Sequence, residues 1–459
     1  MSRRNSKLNI TGLPGLRILA VLATPLVVTI GGCQATDSRA AHSEVSDEIS
    51  NRFAAGLGDE NPAEQTPVPS LPPDVSLEDG ITEDESVAVA LWNNAALYET
   101  LAELGVSKAQ LLDAQLISDP QFMTFLPVGP KQFEMTTQQA VDALWLQPIR
   151  ARAARLDLDR ISQSMVQNGL DLIRDARVAH SELVLANEQA GFRHEAVSVR
   201  ARIAALTLKQ LDAGDISEPE TMTSRQLALA AEAAEVRATQ QLALARQRLR
   251  VVMGLTMSSD TLQAVARPEM PAPTRDIDSL LEDALATRPD LRAAEIAIET
   301  AGQRIGLARH QFINLDAIYD ANGTGLQGFE SGPGLRVSLP LFNRNQGGIA
   351  IADARWNQAT RQYVTTRDRV ALEVRNSHTQ LVAAQNDLAI VQEQVLPALT
   401  REQELVRLRY QRGGSSYLPV LEIHSRYLDG QIRESQSKAA LRRAIAELDR
   451  SVGHRVTDD

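Results

Sequence analysis

Most of this chain is written twice, and no other feature limits its fold as much. Gly214 lies 40 residues before Gly254, and Gly413 lies 40 residues before Gly453, so both glycines recur at an offset of 199. Leu229, Ala245 and Leu249 map onto Leu428, Ala444 and Leu448 at the same offset. Upstream, VALWNNAAL aligns with DALATRPDL, with Ala90, Leu91 and Leu97 falling on Ala284, Leu285 and Leu291 at an offset of 194. The five-residue difference places an insertion or deletion between these segments. Two tandem units are therefore expected, 81–263 and 264–459, each built to pack against its copy.

Within each unit the apolar period reads as a long helix, a short strand-rich insert, a very long helix, a glycine turn and another long helix. Met165, Leu172, Ala179 and Ala186 form one seven-residue track, and Ala176, Leu183, Ala190 and Val197 form a second. Val374, Leu381, Leu388 and Val395 repeat the rule in the second unit. Heptad spacing of this kind predicts left-handed coiled-coil packing. The segment from Gln346 to Arg412 reads as one nearly continuous helix of about 100 Å, bent locally at Pro397. Composition agrees: 8 Phe, 6 Tyr and 3 Trp among 459 residues leave little for a thick aromatic core, whereas alanine tracks allow close helix contact.

Between the helices the period falls to 2, which predicts strands. In FINLDAIYDA, Ile313, Leu315, Ala317 and Tyr319 face one way, while Asn314, Asp316 and Asp320 face the other. In GLRVSLPLF, Leu335, Val337, Leu339 and Leu341 share a side. Both runs reach the roughly 9 to 11 residues that cross a bilayer in a tilted barrel, and a polar face suits a water-filled lumen. The first insert, QFMTFLPVGPKQFEMTT, alternates only around Phe122 to Leu126 and Phe133 to Met135, so its second strand has no clear end. It also reads as an amphipathic hairpin on a bilayer or a short flap. Four strands are fewer than the roughly eight of the smallest closed barrels, so a pore of this kind requires several copies.

The start of the chain is basic (MSRRNSK). An apolar run follows from Leu16 to Ile30, too short to span a membrane and broken by Pro25, and then Gly31 and Gly32 lead into Cys33, the single cysteine. This is the layout of a secretory signal, 1–32. The sequence IGGC resembles the bacterial lipobox, which implies cleavage before Cys33 and a covalent lipid on its thiol; the alternative is an ordinary signal beside an incidental cysteine. Arg3-Arg4 matches a twin-arginine signal only weakly. Gln34 stands where an aspartate would favour inner-membrane retention, so its presence leans towards the outer membrane. Residues 33–80 are acidic and proline-punctuated, and an extended, mobile tether is expected there.

Taken in order, these features resemble the TolC-type outer-membrane efflux proteins. The resemblance runs from Ile81 to Gly453 through AL(x)2(N/R)(x)2L near each repeat start, the junctions LQPIRARAARL and PLFNRNQGG, the turns LDAGDIS and YQRGGSSYLPVLE, and a terminal L(x)4G. PLFNRNQGG is the most specific and is similar to the metal-efflux branch. The family implies a mainly α fold with β: a homotrimer whose helices form an α-helical barrel across the periplasm, and whose strands form one twelve-stranded outer-membrane β-barrel. It implies passive export, a periplasmic adaptor and an inner-membrane efflux pump as partners, and contact with membrane lipid. The adaptor is expected at the two tips, at Leu211, Gly214, Asp215 and Ile216 and at Tyr410, Gly413, Gly414 and Ser415. Asp215 and Gly414 depart from the apolar or hydroxyl residues common there. Glu220 and Glu422 are candidates for a carboxylate ring at the aperture, with a helix-start carboxylate as the plainer reading of each.

Several function classes find no footing. A net charge of −11 argues against a nucleic-acid partner. The seven histidines are scattered without HExxH or a His/Cys cluster, so no metal site is expected. No phosphate loop, nucleophile elbow or dinucleotide fingerprint is present, so neither a catalytic residue nor a cofactor beyond the lipid is expected. A periplasmic adaptor would need lipoyl-like and small β-barrel segments that the sequence lacks. A lipid-anchored periplasmic coiled-coil scaffold without a pore is the alternative, and the poor first hairpin is what favours it.

Overall fold

The computed structural model describes residues 39–58, 71–73, 75–126, 133–256, 262–266, 273, 275–323 and 328–456. The signal 1–32 and Cys33 lie outside them. Helix α1 spans Arg39–Phe53. The first repeat follows as α2 (Glu83–Asn93), α3 (Ala95–Gln115), β1 (Gln121–Phe125), β2 (Glu134–Ala140), α4 (Ala143–Asp212) and α5 (Glu218–Val252). The second repeats the order as α6 (Ile277–Thr287), α7 (Pro289–His310), β3 (Leu315–Gly323), β4 (Phe329–Val337), α8 (Gln346–Ile390), α9 (Leu396–Gln411) and α10 (Leu418–Val452).

The offsets seen in the sequence recur as matched contacts. Asn94 caps α3 and donates from Nδ2 to the Val252 carbonyl at the end of α5, 2.9 Å away. Arg288, 194 positions later, precedes α7 and donates from Nη1 to the Ser451 carbonyl, 3.1 Å away and 199 positions after Val252. Gly254 and Gly453 close the two repeats at φ of +70° and +98°. A Cβ on Gly254 would collide with the Asn93 carbonyl, so this glycine is required both by its conformation and by close approach.

The two repeats interlock along their long helices. On the sheet side, α3, α4, α7 and α8 pack in that order; on the tip side the order is α5, α4, α10 and then α8 with α9. α4 runs 70 residues, about 105 Å, without a break. Its partner is interrupted by a π-turn at Val391–Val395 just before Pro397. Proline has no N–H to donate and crowds the carbonyl four residues back; the wider turn accommodates this, with Leu396 bonding back to the Val391 carbonyl. The expected apolar track shifts accordingly: Val374, Leu381 and Leu388 are buried, but the next buried residue is Val391, and Val395 is only half-buried.

The four strands form one antiparallel sheet in the order β1-β2-β3-β4. β2 runs through Thr136 and Gln138 to Ala140, which fixes the strand end that the sequence left open. β1 has only five residues. β4 ends at Val337, so Leu339 and Leu341 stand outside it; Pro340, which cannot donate to a ladder, lies between them. The register aligns Phe122, Thr137, Tyr319 and Pro333 across one face and Met123, Thr136, Asp320 and Gly332 across the other. On the polar face, Thr136 and Asn322 donate to Asp320 at 2.7 and 2.6 Å, and Arg336 donates to Gln138 at 2.8 Å.

The expected tether is corrected over much of its length. Val45, Ile49 and Phe53, spaced one helical turn apart on α1, are buried with Leu57 in the main core. Gly169 of α4 makes the seat, since a Cβ there would stand 2.5 Å from Ile49 Cδ1. Arg52 Nη1 donates to the carbonyls of Thr287 (2.8 Å) and Gly453 (3.1 Å), pinning α1 to the second repeat. Val75 and Leu77 pack on the same core, and Ile81 bridges Ala264. Acidic and polar neighbours diluted this four-residue apolar period in the sequence.

Glycine chemistry gives the first test. Gly254→Ala is expected to destabilise the protein by about 3 kcal/mol or more, and Gly214→Ala, whose Cβ would meet open space, by about 1–2 kcal/mol. Unfolding midpoints of the two variants in one detergent check the order; equal losses would contradict the packing assigned to Gly254.

Candidate functional site

Both helical hairpins reverse by the same turn. In the first, Gly214 N donates to Leu211 O (2.9 Å) and Asp215 N to Gln210 O (2.8 Å). In the second, Gly413 N donates to Tyr410 O (2.9 Å) and Gly414 N to Arg409 O (3.0 Å). Every donor and acceptor is shifted by 199, and both glycines are left-handed, at φ of +80° and +74°. Gly214, Asp215, Tyr410, Gly413 and Gly414 are exposed, while Leu211, Ile216 and Ser415 are half-buried. The Tyr410 ring leans on Tyr417 with centroids 5.2 Å apart.

The two tips stand side by side. An apolar cluster of Ala196, Val199 and Ile203 from α4 with Leu421 and Leu428 from α10 joins the hairpins, and Leu206 and Leu418 extend it towards the tips. Polar contacts between the repeats flank it: His424 Nε2 lies 2.9 Å from Glu195 Oε1, and Arg193 lies 3.5 Å from Asp429. These pairs are 229 and 236 residues apart, and no motif announces them.

The two acidic candidates differ. Ser217 donates from both its backbone N and its Oγ to Glu220 Oε2, each at 2.7 Å, completing a capping box on α5. The Ser217 backbone N–H, helped by the hydroxyl, holds the Glu220 carboxyl below its ordinary range. The signature was present in the sequence as S-E-P-E. Glu422 is exposed between the buried Leu421 and Ile423.

Midway along the helices is a network that the sequence did not announce. Arg177 of α4 bonds Glu83 of α2 and, at 2.5 Å, Asp449 of α10. Asp449 is 1% exposed and also accepts from the Val456 backbone N–H at 2.8 Å. Burial pushes the Asp449 carboxyl up, and the Arg177 guanidinium opposes the shift. Nearby, Glu373 Oε2 of α8 accepts from Arg288 and from Arg450, both at 2.6 Å, while Arg450 Nε reaches Asp171 of α4 at 2.7 Å. The guanidinium of Arg288 is fully buried and forks onto Asp290 at 3.0 and 2.7 Å.

PLFNRNQGG is a junction. Asn345 is left-handed at φ +60°, donates from Nδ2 to the Ala308 carbonyl at 2.8 Å, and would collide with a Cβ on Gly348. Phe342 before it is 94% exposed. Among the described residues no group of three metal-ligating side chains is placed to hold an ion, and no helix is long and apolar enough to cross a membrane.

Residues 280–454 match the family model described as outer membrane efflux protein. The chain is 23% identical over 381 residues to the cobalt-zinc-cadmium resistance protein CzcC of Cupriavidus metallidurans, spanning 81% of this chain and 90% of CzcC. It is 26% identical over 293 residues to the probable outer membrane lipoprotein SilC of Salmonella typhimurium, spanning 58% of this chain and 62% of SilC. A solved structure of CusC superposes with a TM-score of 0.66 at 19% identity, covering 84% of this chain and 97% of that one. The mainly helical fold is thus shared with CusC, whose structures are described in terms of folding and transmembrane channel formation.

The buried network gives the second test. Arg177→Met strands two carboxylates and is expected to cost about 3–5 kcal/mol, the range for breaking a buried ion pair from one side. Adding Glu83→Gln and Asp449→Leu removes the stranded charges and is expected to recover part of that loss. Unfolding midpoints of the single and triple variants check it.

Proposed function

We propose that the chain is a member of the TolC-type outer membrane efflux protein family, which the matches to its second repeat and to its relatives support, and that three copies close into the outer-membrane conduit of a tripartite efflux system. One observation carries the reading: the protomer has unpartnered edges on both sides. Among the described residues, β1 and β4 each end the sheet with one side unpaired. In hydrocarbon such edges are too costly, and three sheets joined edge to edge make a closed barrel of twelve strands.

The helices repeat the pattern. On α5 only Ala238, Ala245 and Leu249 are buried, while Met222, Leu229, Val236, Leu244 and Val251 form an exposed apolar stripe on the opposite side. At the other end of the row α9 buries nothing, and Val364, Leu372, Val382, Ile390 and Leu405 are exposed along α8 and α9. Two different apolar edges on one protomer suit a head-to-tail contact that closes into a ring.

In this reading the conduit does no chemistry. An inner-membrane pump supplies the energy, a periplasmic adaptor docks on the paired tips at Leu211–Ile216 and Tyr410–Ser415, and cargo leaves unchanged. Glu220 and Glu422 from three copies ring the aperture; both bonds from Ser217 fall on Glu220 Oε2, so Oε1 accepts neither. A lipid on Cys33 adds an anchor, in keeping with the lipoprotein named among the relatives. The metals in the name of CzcC favour metal cargo. The poreless scaffold loses its main support, because β1 and β2 pair in one sheet with β3 and β4.

Native mass in detergent and membrane partition test the proposal. Wild type and Cys33→Ala are both expected as trimers that sediment with outer membrane. Val236→Asp with Leu372→Asp is expected to yield a monomer of unchanged helicity. A Cys33→Ala protein released as a soluble monomer would overturn the conduit and return the scaffold.

A further inference from the structure

One cavity is bordered by all four helices of the sheet-side row: Gln110 of α3, Arg160 of α4, Arg304 of α7, and Arg355, Gln362 and Arg369 of α8. Since the first and last helices of the row border the same space, the row curls around it, and the cavity lies on its concave side. Its volume is about 600 Å³, within the range of small-molecule sites. The floor is an alanine face of α7, Ala293, Ala297 and Ala301, where short side chains leave room.

The charges in this cavity do not balance. Four guanidiniums line it against two carboxylates, Asp157 and Asp290. Asp157 is shared by Arg304 and by Arg160, the latter at 3.6 Å. Asp290 already takes the fork of the buried Arg288; Arg369 stands 3.4 Å from it and 3.9 Å from Glu373, so Arg369 is the best compensated of the four. Arg355 is exposed and makes no ion pair or side-chain hydrogen bond among the described residues. Uncompensated guanidiniums in a recess attract anions, chelate carboxylates and phosphates by paired N–H donors, and repel a bare metal cation.

We infer that this cavity binds a small multivalent anion of the carboxylate or phosphate class, with Arg355 and Arg160 as its principal contacts and Gln358 and Gln362 as neutral donors. That it faces the conduit rests on the trimeric reading above; its chemistry does not. In a closed trimer the three cavities would form a belt on the inner wall, on the sheet side of the aperture. Cargo crossing that belt would be favoured in an anionic form, as an oxyanion or as a metal held by an anionic chelator.

The test is calorimetric titration of citrate into the full detergent-extracted protein at fixed ionic strength, with native mass measured on the same samples. Wild type is expected to bind saturably, Arg355→Gln several-fold more weakly, and Arg355→Gln with Arg160→Gln at least tenfold more weakly. Arg355 is solvent-exposed and holds no partner among the described residues, so its variant is expected to fold as wild type does. No saturable binding by wild type, or equal affinity in wild type and the double variant, overturns the inference. A trimer that ignores citrate would sink this inference alone, whereas a monomer that binds it would sink the trimeric reading alone.

Discussion

The two halves of this molecule are held in register by charge placed where water cannot reach it. Asp449 comes from the end of the second repeat and Arg177 from the middle of the first, and neither can be left alone in the core. The same logic governs Arg288, whose guanidinium is fully buried and spans α7 and α8 through Asp290 and Glu373. Apolar heptad tracks let helices slide by a turn at modest cost; a buried ion pair does not. Coiled-coil packing thus supplies the attraction, and the network supplies the register that brings both tips to one end and all four strands into one sheet.

What the sequence disclosed follows from what is local. The repeat could be read because a left-handed turn leaves few substitutes for glycine, so Gly214, Gly254, Gly413 and Gly453 survive in both copies when most side chains have drifted. The second hairpin could be read because one of its faces is apolar, and Leu315, Ala317 and Tyr319 show the alternation directly. PLFNRNQGG stood out for a structural reason, since Asn345 and Gly348 make a junction that tolerates few other residues.

What stayed hidden depends on distance or on dilution. Arg177 and Asp449 are 272 residues apart, and nothing in either neighbourhood marks them as partners. The first hairpin was hard to read because β1 has only five residues and β2 pairs with β3, a neighbour nearly 200 residues away in the chain. Helix α1 went unseen because its three apolar residues sit among acids and polar residues in a segment whose composition reads as unfolded. Burial of Val45, Ile49 and Phe53 against α4 overrides that composition.

Seating α1 in the core also sets a level along the molecule. Ile49 sits opposite Gly169, which is 26 residues along α4 from its sheet-side start, about 39 Å at the helical rise. Three residues on, Arg52 bonds the carbonyls of Thr287 and Gly453. The helix ahead of both copies therefore works as a clasp that touches each of them at one height, and a change that unseats it would loosen the two repeats together.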